Sequence, residues 1–347
     1  MEIVSQTVAA MQAVFGENLD GLARASGCVL RQRKFSGMSL LRTLVLSLLH
    51  CPAAKNRDYR DTAARLGVFV SEEAIEGRFT DGLVKFLSEA LKIAVSQTLA
   101  AKPLPATLAE AYWISRLQHN TKVFDACGTQ LSLLHFLKQQ GENGLLDMPI
   151  LLGEKERLPC RMIAIRVPPE VAARRRQQAR EKALKHGREP SQEYLAILEW
   201  TIFVTNCPVE LLSWKEVVVL YRARWQIELL FKLWKSHNRL EQRERHASPQ
   251  RQMAVLYAKL IGVIVQHWIL LTATWNDGQR SLRKAAAVVQ SWILLFSEVL
   301  DDVSRLDDLL RRLQAAIAHA ARITRRKKHP SLFQFLENPE LLDYTIP

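Results

Sequence analysis

The chain has 347 residues, 48% of them hydrophobic, with a formal net charge of +13 and an isoelectric point near 9.7. That length holds two domains or one with a large insertion, and that apolar share excludes wholesale disorder. A balance this basic points to a polyanionic partner, nucleic acid ahead of an anionic membrane. Five widely spaced cysteines without a Cys-x-x-Cys argue against a disulfide framework and a zinc finger, and fit a reduced setting. The opening "MEIVSQTVAAMQAVFG" lacks the charged and apolar regions of a signal peptide.

In chain order, apolar residues recur at helical spacing over 38–50 and 82–100. Between them, 59–79 has the outline of a helix-turn-helix, with Ser71 as N-cap and Glu72 and Glu73 in the first turn that follows. "KPLPAT" (102–107) reads as a linker. Strands are expected over 111–118, 121–126, 147–154, 160–167 and 199–206, with a short helix over 130–139. Residues 169–188 read as a helix with Arg and Lys on its exposed faces. Segment 161–188 holds nine Lys or Arg against two Glu, which favours a phosphate-facing role. Ser213-Trp-Lys-Glu216 is a capping-box pattern that starts a helix near Trp214. Residues 250–340 are helical again and end in the basic cluster "RITRRKKHP" (322–330). The apolar run 253–275 is interrupted by Lys259, Gln266 and His267 and reads as a buried helix, not a membrane span. His135, His237, His246 and His267 show no metal-binding pairing.

The stretch "LYRARWQIELLFKLWKSH" (220–237) carries the chemistry. At about 100° per residue, Tyr221, Arg224, Trp225, Glu228, Lys232 and Lys235 share one stripe, while the remaining girth is mostly apolar. Such a helix is expected to be buried, with its polar stripe facing a cleft or a charged ligand. The bland alternative is a salt-bridge ladder at spacings of four, worth only a few tenths of a kcal/mol per pair.

Tyr221, Arg224, Glu228 and Lys235 form Y-x2-R-x3-E-x6-K, which resembles the YREK signature of DDE transposases of the insertion-sequence-4 type. "VTN" (204–206) and "RWQIELLFKLWK" are similar to that family's wording, and the resemblance covers nearly the whole chain. It implies an α+β fold in three parts. These are a helical N-terminal DNA-binding domain (1–102), a partial ribonuclease H-like core with a β-rich insertion and the YREK helix (103–250), and a helical C-terminal region (251–347). In such a core two Asp and one Glu hold two divalent ions, Mg2+ or Mn2+, for DNA strand cleavage and transfer. The resemblance makes Glu228 the catalytic and metal-binding carboxylate. It sets Tyr221, Arg224 and Lys235 against DNA phosphates, with Lys232 on the same stripe. The implied partner is double-stranded DNA, at transposon ends and target, in the cytoplasm at the nucleoid. No membrane is implied, and a homodimer is a candidate assembly.

The two Asp depart from the pattern. Between the N-terminal region and Glu228 the chain offers only Asp125 and Asp147, 22 residues apart. Two strands and a helix belong between the family's two Asp, and 22 residues cannot hold them, since a strand averages about five or six residues and a helix about eleven. "LVKFLSEALKIAVSQTLA" resembles the segment just before the first Asp, and "AYWISRLQHNTKVFD" the segment just after the second. Only "AKPLPATLAE" joins them. An internal deletion that removed both Asp follows as the expectation. It leaves Glu228 without carboxylate partners, and the transposase chemistry impaired. The alternatives are a DNA-binding remnant or inhibitor of an intact transposase, and a structural protein that binds no nucleic acid.

Overall fold

The computed structural model describes residues 3–16, 18–29, 34–97, 111–141, 143–242, 246–274, 279–323 and 330–344. In chain order the helices begin with α1 (Ile3–Phe15), α2 (Leu19–Ala25), α3 (Gly37–His50), α4 (Asn56–Arg65), α5 (Glu72–Glu76) and α6 (Asp81–Ser96). A strand-rich stretch follows: β1 (Ile114–Arg116), β2 (Val123–Phe124), β3 (Gln130–Leu131), α7 (Leu133–Gln140), β4 (Leu145–Leu152), β5 (Leu158–Arg166), α8 (Pro169–Leu184), α9 (Gln192–Ile197) and β6 (Trp200–Thr205). The chain then returns to helices: α10 (Trp214–Ala223), α11 (Trp225–Lys232), a π-helical turn (Leu233–His237), α12 (Pro249–Thr274), α13 (Leu282–Trp292), α14 (Val303–Ala320) and α15 (Leu332–Glu337). The fold is mixed α+β. It divides into a unit of residues 1–103 and 228–324 and a unit of residues 104–227 and 325–347.

The first unit is helical. Ser36 and Ser39 cap α3 reciprocally, and Thr80 caps α6, so both helices start where a hydroxyl can take an otherwise orphaned N–H. Leu40, Leu41, Leu44, Val45 and Leu48 of α3 and Leu83, Phe86, Leu87 and Ala90 of α6 are buried at helical spacing. They enclose α12, whose Ala254, Ala258, Ile261, Val265 and Ile269 are fully buried. Gly262 lets α12 approach α3: a Cβ there would stand 3.0 Å from Leu49 Cγ. By length and composition α12 could cross a membrane, but 61% of its most apolar window is buried inside this core. The core also contains Arg42, which donates to the Phe15 carbonyl at 2.7 and 3.0 Å and to Asp301 at 2.8 and 3.0 Å.

The helix-turn-helix outline is present as α4 and α5, but α5 has only five residues and carries Glu72, Glu73 and Glu76. Arg60 of α4 is engaged by Asp61 and Glu72. Carboxylates on so short a helix are unfavourable beside phosphate.

The second unit is built on a six-stranded sheet in the order β1-β6-β5-β4-β2-β3, with every pairing antiparallel. Side chains alternate between two covered faces. Met162, Ala164, Ile202 and Val204 meet Leu133 and Leu137 of α7 and Ile197 of α9. Ile163, Ile165 and Phe203 meet Val217, Val218 and Val219 of α10 and Phe335 of α15. Burial on both faces explains why β5 reads as a continuous apolar run. The helix expected over 130–139 begins only at Leu133, because Gln130–Leu131 pairs with β2 first. The expected linker at 102–107, the proposed deletion junction and most of the 322–330 cluster lie outside the described residues.

Candidate functional site

The signature stretch begins at a well-made helix start. Ser213 Oγ accepts from the Glu216 N–H, and the Glu216 carboxylate accepts from the Ser213 N–H at 2.7 Å. The Ser213 hydroxyl, donating to the Glu216 carboxylate at 2.7 Å, and then the Ser213 N–H hold that carboxyl below its ordinary range. From there α10 buries its valines, and Tyr221 lays its ring 5.0 Å from that of Phe203 on β6. The Arg224 guanidinium lies 5.5 Å from the Tyr221 ring centroid, within cation–π reach. The structure thus brings Tyr221 and Arg224 together on the sheet unit.

Arg224 separates α10 from α11 while keeping helical angles (φ −50°, ψ −31°). The division between the two units falls just beyond it, between Ile227 and Glu228. Glu228 is half-buried, and Lys232 is exposed. The expectation of a buried helix is overturned here. No residue of α11 is buried, and Trp225, Ile227 and Phe231 are each half exposed or more (56%, 55% and 50%). An apolar girth marks a helix that some neighbour could cover; it does not supply the neighbour. Burial resumes at Leu233, in the π-helical turn. A π turn advances each residue by less than an α turn, so the even stripe drawn at about 100° per residue does not extend unchanged to Lys235. Lys235 pairs with Glu241 at 2.7 Å, both side chains being mostly exposed. Such a pair contributes little to stability.

The two Asp of the intervening stretch are both employed locally. Asp147, on β4, makes a two-pronged pair with Arg161 of β5, at 2.5 Å for each contact. Arg161 also donates to the Leu212 carbonyl at 2.6 Å. The pairing holds the Arg161 guanidinium even more firmly charged. Asp125 closes the turn between β2 and β3: its side chain accepts from the Thr129 N–H at 2.8 Å, and Gly128 supplies the positive φ (+85°) that the turn needs. "DACGT" is therefore a hairpin turn. Among the described residues, no group of three or more His, Cys, Asp or Glu is arranged to hold a metal ion. Both Asp147 oxygens face the Arg161 guanidinium and an Asp125 oxygen accepts from a turn N–H, so neither acid is arranged with others as a metal-binding cluster among the described residues. The Asp147–Arg161 pairing was not visible in the sequence, since it depends on the β4–β5 register, which sets Asp147 opposite Ile163 and so diagonal to Arg161.

Comparison with known proteins bears directly on this stretch. Residues 101–263, which include the whole signature, match the model of the transposase DDE domain. The chain is 24% identical over 247 residues to the transposase for insertion sequence element IS231F of Bacillus thuringiensis subsp. israelensis, covering 65% of this chain and 52% of that protein. These matches support a DDE-type insertion-sequence transposase. The chain is also 29% identical over 124 residues to the transposase for IS1151 of Clostridium perfringens, 36% of this chain and 26% of that one. It is 26% identical over 210 residues to the InsL transposase for IS186A of Escherichia coli strain K12, 57% of this chain and 56% of that one. It spans about half the length, or less, of the curated relatives it matches. No solved structure matches it. DDE transposases are generally dependent on divalent metal.

Proposed function

We propose that this chain is a DNA-binding member of the insertion-sequence-4-type transposases whose strand-cleaving chemistry is impaired. The proposed role lies in DNA transposition, on double-stranded DNA at transposon ends. The family match and the Y-x2-R-x3-E-x6-K spacing support the DNA partner. The observation that carries the impairment is the local use of Asp125 and Asp147, which leaves Glu228 without a matching pair of acids among the described residues. We read the sheet as what is left of a ribonuclease H-like core together with its β-rich insertion, with β1 as the edge at which the lost strands would have joined. In this reading Tyr221, Arg224, Lys232 and Lys235 contact phosphates, and Glu228 is the acid of the catalytic set that the chain retains. Residues 1–102 supply further DNA contacts, from surfaces other than α5. Occupying transposon ends without cutting them would make the chain an inhibitor of an intact transposase.

The test is a cleavage and binding assay on duplexes carrying the element's ends, with Mg2+ or Mn2+. The expected result is binding without cutting. Metal-dependent cutting that disappears in Glu228→Ala would overturn the impairment. Absence of any duplex binding at low salt would overturn the DNA-binding role and favour a purely structural protein.

A further inference from the structure

Three arginines that are far apart in sequence or in burial meet on one edge of the sheet unit. Arg116 ends β1 opposite Phe203 of β6, and the next residue continues the pairing, Leu117 N–H donating to the Ile202 carbonyl at 3.0 Å. Thr201 lies two residues from Phe203, so its side chain leaves the same face of the sheet as those of Phe203 and Arg116. Diagonal neighbours of that kind stand roughly 7–8 Å apart, within reach of long side chains. Thr201 Oγ1 accepts from Arg175 Nη2 at 2.9 Å, and the Trp200 carbonyl accepts from Arg175 Nη1 at 3.2 Å. Arg175 is thereby docked from α8 onto the end of β6. Arg174, its neighbour on α8, is exposed, as is Arg116.

The grouping is electrostatically unfavourable as it stands. Arg175 is bonded to neutral oxygens only, and its pKa is lowered first by burial and then by the charges of Arg116 and Arg174. The nearby Glu199 is already taken by Arg166 and Arg176. Among the described residues, none of the three arginines has a carboxylate within 4.0 Å. Guanidinium forks match phosphate oxygens in geometry and charge, and an anion set between them would relieve the repulsion. Exposed Arg180, Lys182, Lys185 and Arg188 continue the positive charge along and beyond α8, as a track along a duplex requires.

We propose that Arg116, Arg174 and the docked Arg175 form a phosphate-binding patch for the backbone of double-stranded DNA. The proposal rests on the DNA-binding reading above and locates one of its contact surfaces on the sheet unit, away from the signature helix. Because phosphate contacts carry no sequence information, the patch should bind any duplex.

The experiment measures fluorescence anisotropy of a labelled random-sequence duplex with the full chain across a salt series. The wild type is compared with Arg116→Ala/Arg174→Ala, and with Lys138→Ala/Lys155→Ala as a control that removes equal charge from exposed positions of the same unit. Loss of two phosphate contacts should reduce the slope of log affinity against log salt by about 2 and weaken binding about tenfold or more, with unchanged melting. The control should change neither by as much. Duplex binding with an equal slope in the arginine double variant overturns the patch alone. No duplex binding by the wild type overturns the DNA-binding reading and the patch with it. Retention of the wild type on phosphatidylserine vesicles but not on duplex overturns the choice of DNA as the partner.

Discussion

Arg161 and Asp147 show how much one pair of residues decides in this chain. Their side chains are only 10% and 22% exposed, and each satisfies the other. Removing one partner strands the other: Arg161→Ala should cost roughly 3 kcal/mol, read from urea denaturation. Replacing both by apolar residues of similar volume should be close to neutral. A loss in the double variant as large as in the single would show that the pair holds the sheet through something other than mutual neutralisation. Asp301 offers a pH handle. Its hydrogen bonds from Arg42 hold its carboxyl below the ordinary value of 3.8. Its contribution is therefore complete above the unfolded value and fades as pH falls through the lowered, folded one. Wild type should lose more stability on acidification below about pH 4 than Asp301→Asn does, by urea melts at matched ionic strength.

Among the elements, α11 sets the sharpest expectation. Phe231 is 50% exposed while Leu233, two residues on, is 6% exposed. Phe231→Ser should leave stability within about 0.5 kcal/mol, and Leu233→Ala should cost about 2–5 kcal/mol. Equal losses by thermal melting would mean that the face of α11 is covered in solution. The same element marks where the sequence stops being informative. The start of α10 was legible, because a capping box is a local device: Ser213 and Glu216 need only each other. The strand β5 was legible from its apolar run, and α6 from its spacing. The helix α9 was not, since six residues give no period to read. The exposure of α11 was not legible either, because burial is decided by what other segments supply. Of the candidate site, the spacing from Tyr221 to Lys235 could be read directly, but the employment of Asp125 in a turn and of Asp147 by Arg161 required the β2–β3 and β4–β5 registers.

At the scale of the whole molecule, Asp125 and Asp147 belong to the sheet unit and Glu228 to the helical unit. A resident divalent ion would bind the folded chain and raise its melting temperature by mass action, about 2.7 kcal/mol at a hundredfold excess over the dissociation constant. None is expected. Adding Mn2+, or stripping with EDTA, should leave the melting curve in place, and Glu228→Ala should melt with the wild type. A Mn2+-dependent rise that vanishes in Glu228→Ala would restore a metal centre.

The helical unit is assembled from two lengths of chain separated by the whole of Leu104–Ile227. During synthesis, α3 and α6 leave the ribosome long before α12, around which they close. At roughly 5–20 residues per second that wait is on the order of ten seconds or more. Throughout it, Leu44, Leu83 and Phe86 have no central helix to cover them. Nascent chains at this stage are natural clients for chaperones, and a message truncated before α12 would yield a product prone to aggregation and degradation.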